Sequence, residues 1–160
     1  MTHKEPRRRA VPNQDVLAVS RRISVDELDE FIDTTMRTLE RMAPPAGHPF
    51  VVYHDGLTVG SPGTVEVCQP VHARRLDPPE GVVRRVEPAH VEAWVTVSRA
   101  ELAFPEIDDI YADLDADLRS RGWQRNGAPR EVYWGSWNDA AIDDPTCDVC
   151  FPVVPHPDEM

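Results

Sequence analysis

The first regular pattern along the chain is that of an amphipathic helix. Ser24 can cap this helix, and Glu27, three residues later, completes a capping-box pattern. Ile23 and Leu28 occupy the positions of a hydrophobic staple around the cap. The helix should end near Ala43, because the two prolines that follow cannot continue it. Its apolar stripe, at helical spacing, consists of Leu28, Phe31, Ile32, Met36, Leu39 and Met42.

A second amphipathic helix is predicted in the second half of the chain. Pro105 is a residue favoured in the first turn of a helix, and Gly122 is a natural stop. Aspartate and glutamate occupy much of the remaining helix surface, which predicts a solvated acidic face. The apolar stripe of this helix consists of Ile107, Ile110, Tyr111, Leu114 and Leu118.

Alternating and β-rich runs predict the strands, and their order repeats. The order strand–helix–strand–strand occurs twice, with an extra strand opening the second unit. The two halves share this pattern and little residue identity. We therefore expect an α+β fold of two pseudo-twofold-related units, whose strands merge into one antiparallel sheet with both helices on one face and a cleft between the units. The predicted strands are residues 16–23, 49–54, 64–71, 82–86, 90–98, 130–134 and 146–153.

The ends of the chain lack a period. Residues 1–14 carry two prolines and three consecutive arginines, which indicates a flexible tail or a lead-in to the first strand. Residues 15–154 are expected to form one folded domain, and residues 155–160 a proline-containing C-terminal tail.

Composition and charge exclude several classes of function. Lys and Arg number 17 and Asp and Glu number 28, a formal charge of −11, which argues against non-specific nucleic-acid binding and against docking on anionic lipid. No run approaches the ~20 apolar residues of a transmembrane helix, and the N-terminus has no apolar signal region. Three cysteines are few and odd in number, which favours a reducing compartment. We expect a cytoplasmic protein.

Several short strings, in this order and spacing, resemble the GyrI-like family, the effector-binding domain found at the C-terminal end of many AraC- and MerR-type regulators. The resemblance covers roughly residues 15–154. It departs from the family before the second helix, where a glycine and an aromatic residue are usual and this chain has residues 98–104. The strings are YHDG (53–56), VEVCQPV (65–71), PAHVEAWVTVS (88–98), RSRGW (119–123), PREVYWG (129–135) and CDVCFPV (147–153).

The resemblance implies a bowl-like pocket between the two units, lined by aromatic residues and with an acid at its floor. Family members bind organic, often cationic, small molecules; some are gyrase inhibitors, and some hydrolyse strained cyclopropane-containing toxins. The related bacterial regulators carry a DNA-binding region before this domain. Only about fifteen residues stand before the domain here, too few for a helix-turn-helix, so we expect a stand-alone protein that does not itself bind nucleic acid.

Glu131 is the residue that the resemblance carries over as the pocket acid. Strand alternation places Glu131 and Tyr133 on one face, and Val132 and Trp134 on the other. A desolvated carboxylate would attract a cation, and the ring of Tyr133 could lie against it. From the residues alone, Glu131 could equally pair with Arg130 or Arg125 on an exposed edge strand.

The other candidate ligand-binding residues are aromatic, and each of them could instead be a core residue. They are Tyr53, Trp94, Phe104, Tyr111 and Trp137.

His54 could be a general base or a hydrogen-bonded turn residue. Cys147 and Cys150 form a lone CxxC, which is better explained by buried strand cysteines than by zinc or redox chemistry. No metal site and no organic cofactor is expected.

Three functions are compatible with these patterns. The first is binding of an aromatic, cationic, drug-like molecule. The second is hydrolysis of a strained electrophile, with Glu131 orienting or deprotonating a water and Tyr133 donating a hydrogen bond to the leaving oxygen. The third is binding to a basic protein surface such as that of gyrase through the acidic second helix.

Overall fold

The computed structural model describes residues 3–58, 60–72, 77–135 and 141–159. These residues form a mixed α+β fold of antiparallel strands and three helices, divided into two compact units. Residues 12–89 form the N-terminal unit; residues 90–160 and 1–11 form the C-terminal unit. The elements are β1 (Arg7–Val11), β2 (Gln14–Ile23), α1 (Val25–Met42), β3 (Phe50–Tyr53), β4 (Gly63–Pro70), β5 (Val83–Glu87), β6 (His90–Ser98), α2 (Arg99–Leu102), α3 (Glu106–Arg121), β7 (Arg130–Tyr133) and β8 (Pro145–Val153).

In the N-terminal unit the strand order is β3-β4-β2-β5, with each neighbouring pair antiparallel. Helix α1 buries Phe31, Thr35 and Leu39. The Gln69 side chain, on β4, donates to the carbonyl oxygens of Leu39 (3.2 Å) and Ala43 (2.8 Å). This buried amide therefore supplies a donor to the Ala43 carbonyl at the C-terminal end of α1, and a second donor to the Leu39 carbonyl, which also accepts from the Ala43 backbone N–H.

The C-terminal unit has the order β7-β8-β6-β1, again antiparallel throughout. Its core lies between the sheet and α3, which contributes Ile110, Leu114 and Leu118. The sheet contributes alternate residues, as a one-sided apolar face requires. These are Val91, Ala93, Val95 and Val97 of β6 and Cys147, Val149, Phe151 and Val153 of β8.

The two units share one internal topology. In each, a strand, a helix and two further strands follow in sequence, and the third strand lies between the other two. A fourth strand then flanks the first: β5 flanks β2, and β1 flanks β6. The repeated order predicted from the sequence is thus present within each unit. The pseudo-twofold relation, the merged sheet and the cleft stay predictions.

The structure corrects the sequence analysis at β1. Residues 7–11 lie in the segment interpreted as a flexible tail or a lead-in to the first strand, and they form a separate strand that pairs in register with β6, from Arg7 opposite Trp94 to Val11 opposite His90. The pattern was missed because Arg7, Arg8 and Arg9 are poor candidates for a strand until their charges have partners.

For each of the two predicted helices, the start and the end predicted from the sequence are present. The carboxylate of Glu27 accepts hydrogen bonds from the Ser24 backbone N–H (3.1 Å) and hydroxyl (2.9 Å). Ala43 is the C-cap of α1. Helix α3 begins after Pro105 and ends at Gly122, whose φ of 71° is left-handed. Among the described residues, no helix combines the length and hydropathy needed to cross a bilayer.

Candidate functional site

Glu131 is a buried carboxylate on the face of β7 that is turned toward α3. In the pairing with β8, Glu131 is opposite Val149 and Tyr133 is opposite Cys147, and both partners belong to the core against α3. Only 5% of Glu131 is exposed. The predicted alternation is present, since the Trp134 indole lies on the other face and donates to Asp148 (3.0 Å).

Two phenol hydroxyls converge on this carboxylate. Tyr133 donates to Oε1 of Glu131 at 2.5 Å, and Tyr111, from α3, donates to Oε2 at 2.8 Å. The Tyr111 ring packs against Phe151, with centroids 5.8 Å apart. Helix α3 and strand β7 therefore bring two tyrosine side chains into hydrogen-bonding contact with one carboxylate.

The alternative of an exposed edge-strand carboxylate does not describe Glu131, because its side chain is buried. Arg125 instead lies over the Phe151 ring, 4.2 Å from its centroid, and 3.5 Å from the Asp115 carboxylate. The Cys147 thiol is fully buried beside this site. Burial, followed by the negative charges of Glu131 and Asp148, raises its pKa far above the ordinary thiol value.

The remaining candidates are dispersed. Trp94 lies on the opposite face of β6 from the core residues, with the guanidinium groups of Arg9 and Arg7 at 4.5 and 5.9 Å from its ring centroid. Phe104, between α2 and α3, is 44% exposed. Tyr53 is half-buried at the end of β3 in the N-terminal unit. Trp137 lies outside the described residues. Of the predicted set, the described structure brings Tyr111 and Tyr133 to Glu131.

A charged cluster that was not predicted lies on the other face of the C-terminal sheet. Arg9 of β1 donates to Glu92 of β6 (2.8 Å) and to Asp148 of β8 (2.9 Å), and its Nη2 is 3.5 Å from the Cys150 sulfur. Burial opposes the charge of Arg9, but these neighbours outweigh it and raise the pKa of the guanidinium. His90 lies 2.9 Å from Glu92.

The N-terminal unit contains the same kind of cluster. Arg85 of β5 donates twice to Glu66 of β4 (2.9 and 3.0 Å) and once to Glu87 (2.5 Å), and lies 3.5 Å from the Cys68 sulfur. His54 is 3.0 Å from Glu66. The interpretation of His54 as a hydrogen-bonded residue therefore agrees with its position.

An internal sequence repeat accompanies the two clusters. TVEVCQPV at residues 64–71 and TCDVCFPV at residues 146–153 share Thr, Val, Cys, Pro and Val at matching positions, and an acid precedes the shared Val–Cys. The acid and the cysteine of this string both contact the arginine in each unit. The two halves of the chain thus share residue identity along β4 and β8. This shared string is the signal in the sequence that could have identified both clusters.

Among the described residues, no group of three or more His, Cys, Asp and Glu side chains is placed to hold a metal ion. Cys147 and Cys150 face opposite sides of β8, in the core and beside Arg9 respectively.

Neither a protein-family model nor a curated protein sequence matches the chain. Solved structures do match. The crystal structure of the EcmrR C-terminal domain superposes with a TM-score of 0.80 at 18% identity, over 96% of this chain and 99% of that domain. The chain has the fold of the EcmrR C-terminal domain. It spans 58% of the EcmrR chain in the cryo-EM structure of the EcmrR–DNA complex. At this identity the likeness is one of fold, and it agrees with the GyrI-like fold implied by the sequence strings.

Two further structures share the fold of this chain and of the EcmrR domain. SAV2435, solved with bound tetraphenylphosphonium, has a TM-score of 0.65 at 8% identity, over 94% of each chain. A hydrolase from Listeria innocua has a TM-score of 0.54 at 12% identity, over 94% of this chain and 92% of that one.

Proposed function

We propose that the chain binds an organic, aromatic cation, and that Glu131, Tyr111 and Tyr133 form the polar end of the binding site. The observation that carries this proposal is the buried Glu131 carboxylate with two phenol hydroxyls as its hydrogen-bond donors.

The chemistry of the cluster suits a diffuse positive charge. A carboxylate in an apolar setting stabilises a cation more strongly than it would in water, because the local dielectric is low. The tyrosine rings add the negative face of their π-systems. A large aromatic cation is weakly hydrated, so its transfer to such a site costs less than that of a small ammonium ion. The fold shared with a tetraphenylphosphonium-bound protein supports this choice of ligand class.

We therefore expect Glu131→Gln to weaken the binding of tetraphenylphosphonium at least tenfold, about 1.4 kcal/mol. The substitution keeps the shape of the side chain and its acceptor oxygen but removes the negative charge. Isothermal titration at fixed ionic strength measures this change. Glu40→Gln, an exposed position on α1, is the matched control, since it changes the net charge equally. Equal weakening by both variants, or unchanged affinity in Glu131→Gln, contradicts the proposal.

Hydrolysis is the second candidate, and the 2.5 Å hydrogen bond between Tyr133 and Glu131 favours it. A tyrosine and a carboxylate in such contact can exchange a proton during a reaction. The fold is also found in a hydrolase from Listeria innocua. Each protein molecule should then consume many equivalents of a strained cyclopropane electrophile, and Tyr133→Phe should lose this activity. Consumption of excess substrate distinguishes turnover from stoichiometric binding.

A further inference from the structure

An aromatic ring next to the Glu131 cluster already holds a positive charge. The Arg125 guanidinium lies 4.2 Å from the centroid of the Phe151 ring. Phe151 in turn packs against Tyr111, with ring centroids 5.8 Å apart, and Tyr111 donates to the Glu131 carboxylate at 2.8 Å. All four residues belong to the C-terminal unit. Contacts therefore connect the guanidinium, through two aromatic rings, to the buried acid of the candidate site.

Arg125 lies at the surface, over a ring that is itself buried. Its side chain is 46% exposed, whereas Phe151 is 3% exposed. The backbone of Arg125 forms a β-bridge with Val153, so the side chain begins beside the strand that carries Phe151. A cation–π contact at a half-exposed position is weak, because water competes for the charge. A ligand that offers the ring a better contact can therefore displace this guanidinium at little cost.

A displaced Arg125 has an acid and open space beside it. The Asp115 carboxylate, on α3, is 3.5 Å from Arg125 and 2.8 Å from Arg119. These three side chains and Trp123 line an open groove of about 510 Å³ at the end of α3. In this groove the guanidinium can leave the Phe151 ring and keep Asp115 as its counter-ion. Displacement therefore does not leave a charge without a partner.

We propose that Arg125 is an internal competitor of the ligand: its guanidinium holds the Phe151 ring in the free protein and moves toward Asp115 when an aromatic cation binds. The proposal rests on the aromatic-cation binding proposed above and names the group that opposes it. Two effects act in the same direction. The guanidinium occupies an aromatic surface that the ligand would use. Its charge also repels a cation held at Glu131, and this repulsion is strong where the local dielectric is low.

The test measures tetraphenylphosphonium binding to the full-length chain and its variants by isothermal titration at fixed ionic strength. Arg125→Met keeps an unbranched apolar stem and removes the charge, and it should bind the ligand about fivefold more tightly. Arg119→Met is the matched control, because Arg119 has the same Asp115 partner and the same charge, and its side chain is 81% exposed. Its affinity should stay close to that of the unchanged chain. Arg125→Lys keeps the charge but loses the planar guanidinium, so its affinity should be intermediate.

Unchanged affinity in Arg125→Met, with Glu131→Gln still weakening binding, would overturn the role of Arg125 and leave the proposed function standing. An equal gain in Arg119→Met would also overturn this role, since the effect would then be one of net charge. Absence of binding in every protein would overturn the proposed function and the role of Arg125 together. Circular dichroism establishes folding before each titration. If Arg125→Met does not fold, Arg125→Gln takes its place, since it removes the same charge and keeps a polar end.

Discussion

Burial controls the chemistry of all three cysteines. Cys68, Cys147 and Cys150 have no exposed surface. Burial raises the pKa of each thiol well above its ordinary value, and neighbouring carboxylates raise it further. Since the thiolate is the reactive form, these side chains behave as small apolar residues in the native state.

We therefore expect the native protein to resist thiol modification. At pH 8, Ellman's reagent should label fewer than one thiol per chain over an hour, and all three after unfolding in urea. The absorbance of the released thionitrobenzoate measures both values. Fast labelling of one thiol in the native state would show that the strand carrying it opens readily.

At single residues, the sequence predicts the alternation around Glu131 but not its partners. Alternation follows from strand geometry, so Glu131 and Tyr133 could be placed on one face in advance. The Tyr111 hydroxyl reaches Glu131 only because α3 packs at one particular height on the sheet. Side-chain contacts between distant segments depend on this packing, and the position of a helix on a sheet cannot be predicted from a single sequence.

A substitution at Gly122 tests how much a left-handed glycine stabilises the C-terminal end of α3. The φ of Gly122, 71°, is left-handed, and a Cβ there would meet no atom within 4 Å, so only backbone strain opposes a larger residue. Gly122→Ala should lower the free energy of unfolding by about 1 kcal/mol. Urea unfolding followed by circular dichroism measures this loss. Gly56→Ala is the control, because Gly56 has no positive φ and equally open surroundings; a similar loss there would contradict the explanation.

Among the elements, helices α1 and α3 and most strands were predictable from the sequence. Two short elements with charged residues, helix α2 and strand β1, were not. Helix α1 has a capping box and a stripe, and β6 alternates over nine residues. Helix α2 has four residues, and its signal was the cap alone: Ser98 and Glu101 form a capping box. Strand β1 consists largely of arginines whose partners lie more than eighty residues away in sequence.

For the whole molecule, the two arginine clusters predict a loss of stability in acid. Burial raises the pKa of Glu66 and of Glu92, but hydrogen bonds from Arg85, Arg9 and the neighbouring histidines outweigh it, so the pKa of each carboxyl is lower than that of an ordinary glutamate. A lowered pKa in the folded state means that the unfolded chain takes up protons first as the pH falls. The stabilisation is therefore complete above about pH 5 and is lost below it.

We expect the urea midpoint to fall between pH 6 and pH 3.5, and to fall less in Glu92→Gln, where that titrating group is absent. The amide variant begins from a lower midpoint, since Arg9 has lost one acid, so the slope against pH is the quantity compared. Parallel slopes in the two proteins would assign the acid sensitivity to other carboxylates.

The repeated topology was predictable because each unit has its own pattern of strands and helix. The repeated clusters were not predicted, since charged residues in strands are ordinarily solvated and carry no period. Their signal was the shared string on β4 and β8, which is short and interrupted.

The three arginines of β1 also make the rate of tryptic cleavage a measure of how often this strand opens. Trypsin cleaves after arginine and needs several residues of extended chain that are free to enter its active site. In the sheet, Arg8 and Arg9 have their side chains engaged and their backbone paired. Trypsin can cleave these bonds only after β1 has detached from β6. The cleavage rate therefore reports the local opening of this one strand, separately from global unfolding.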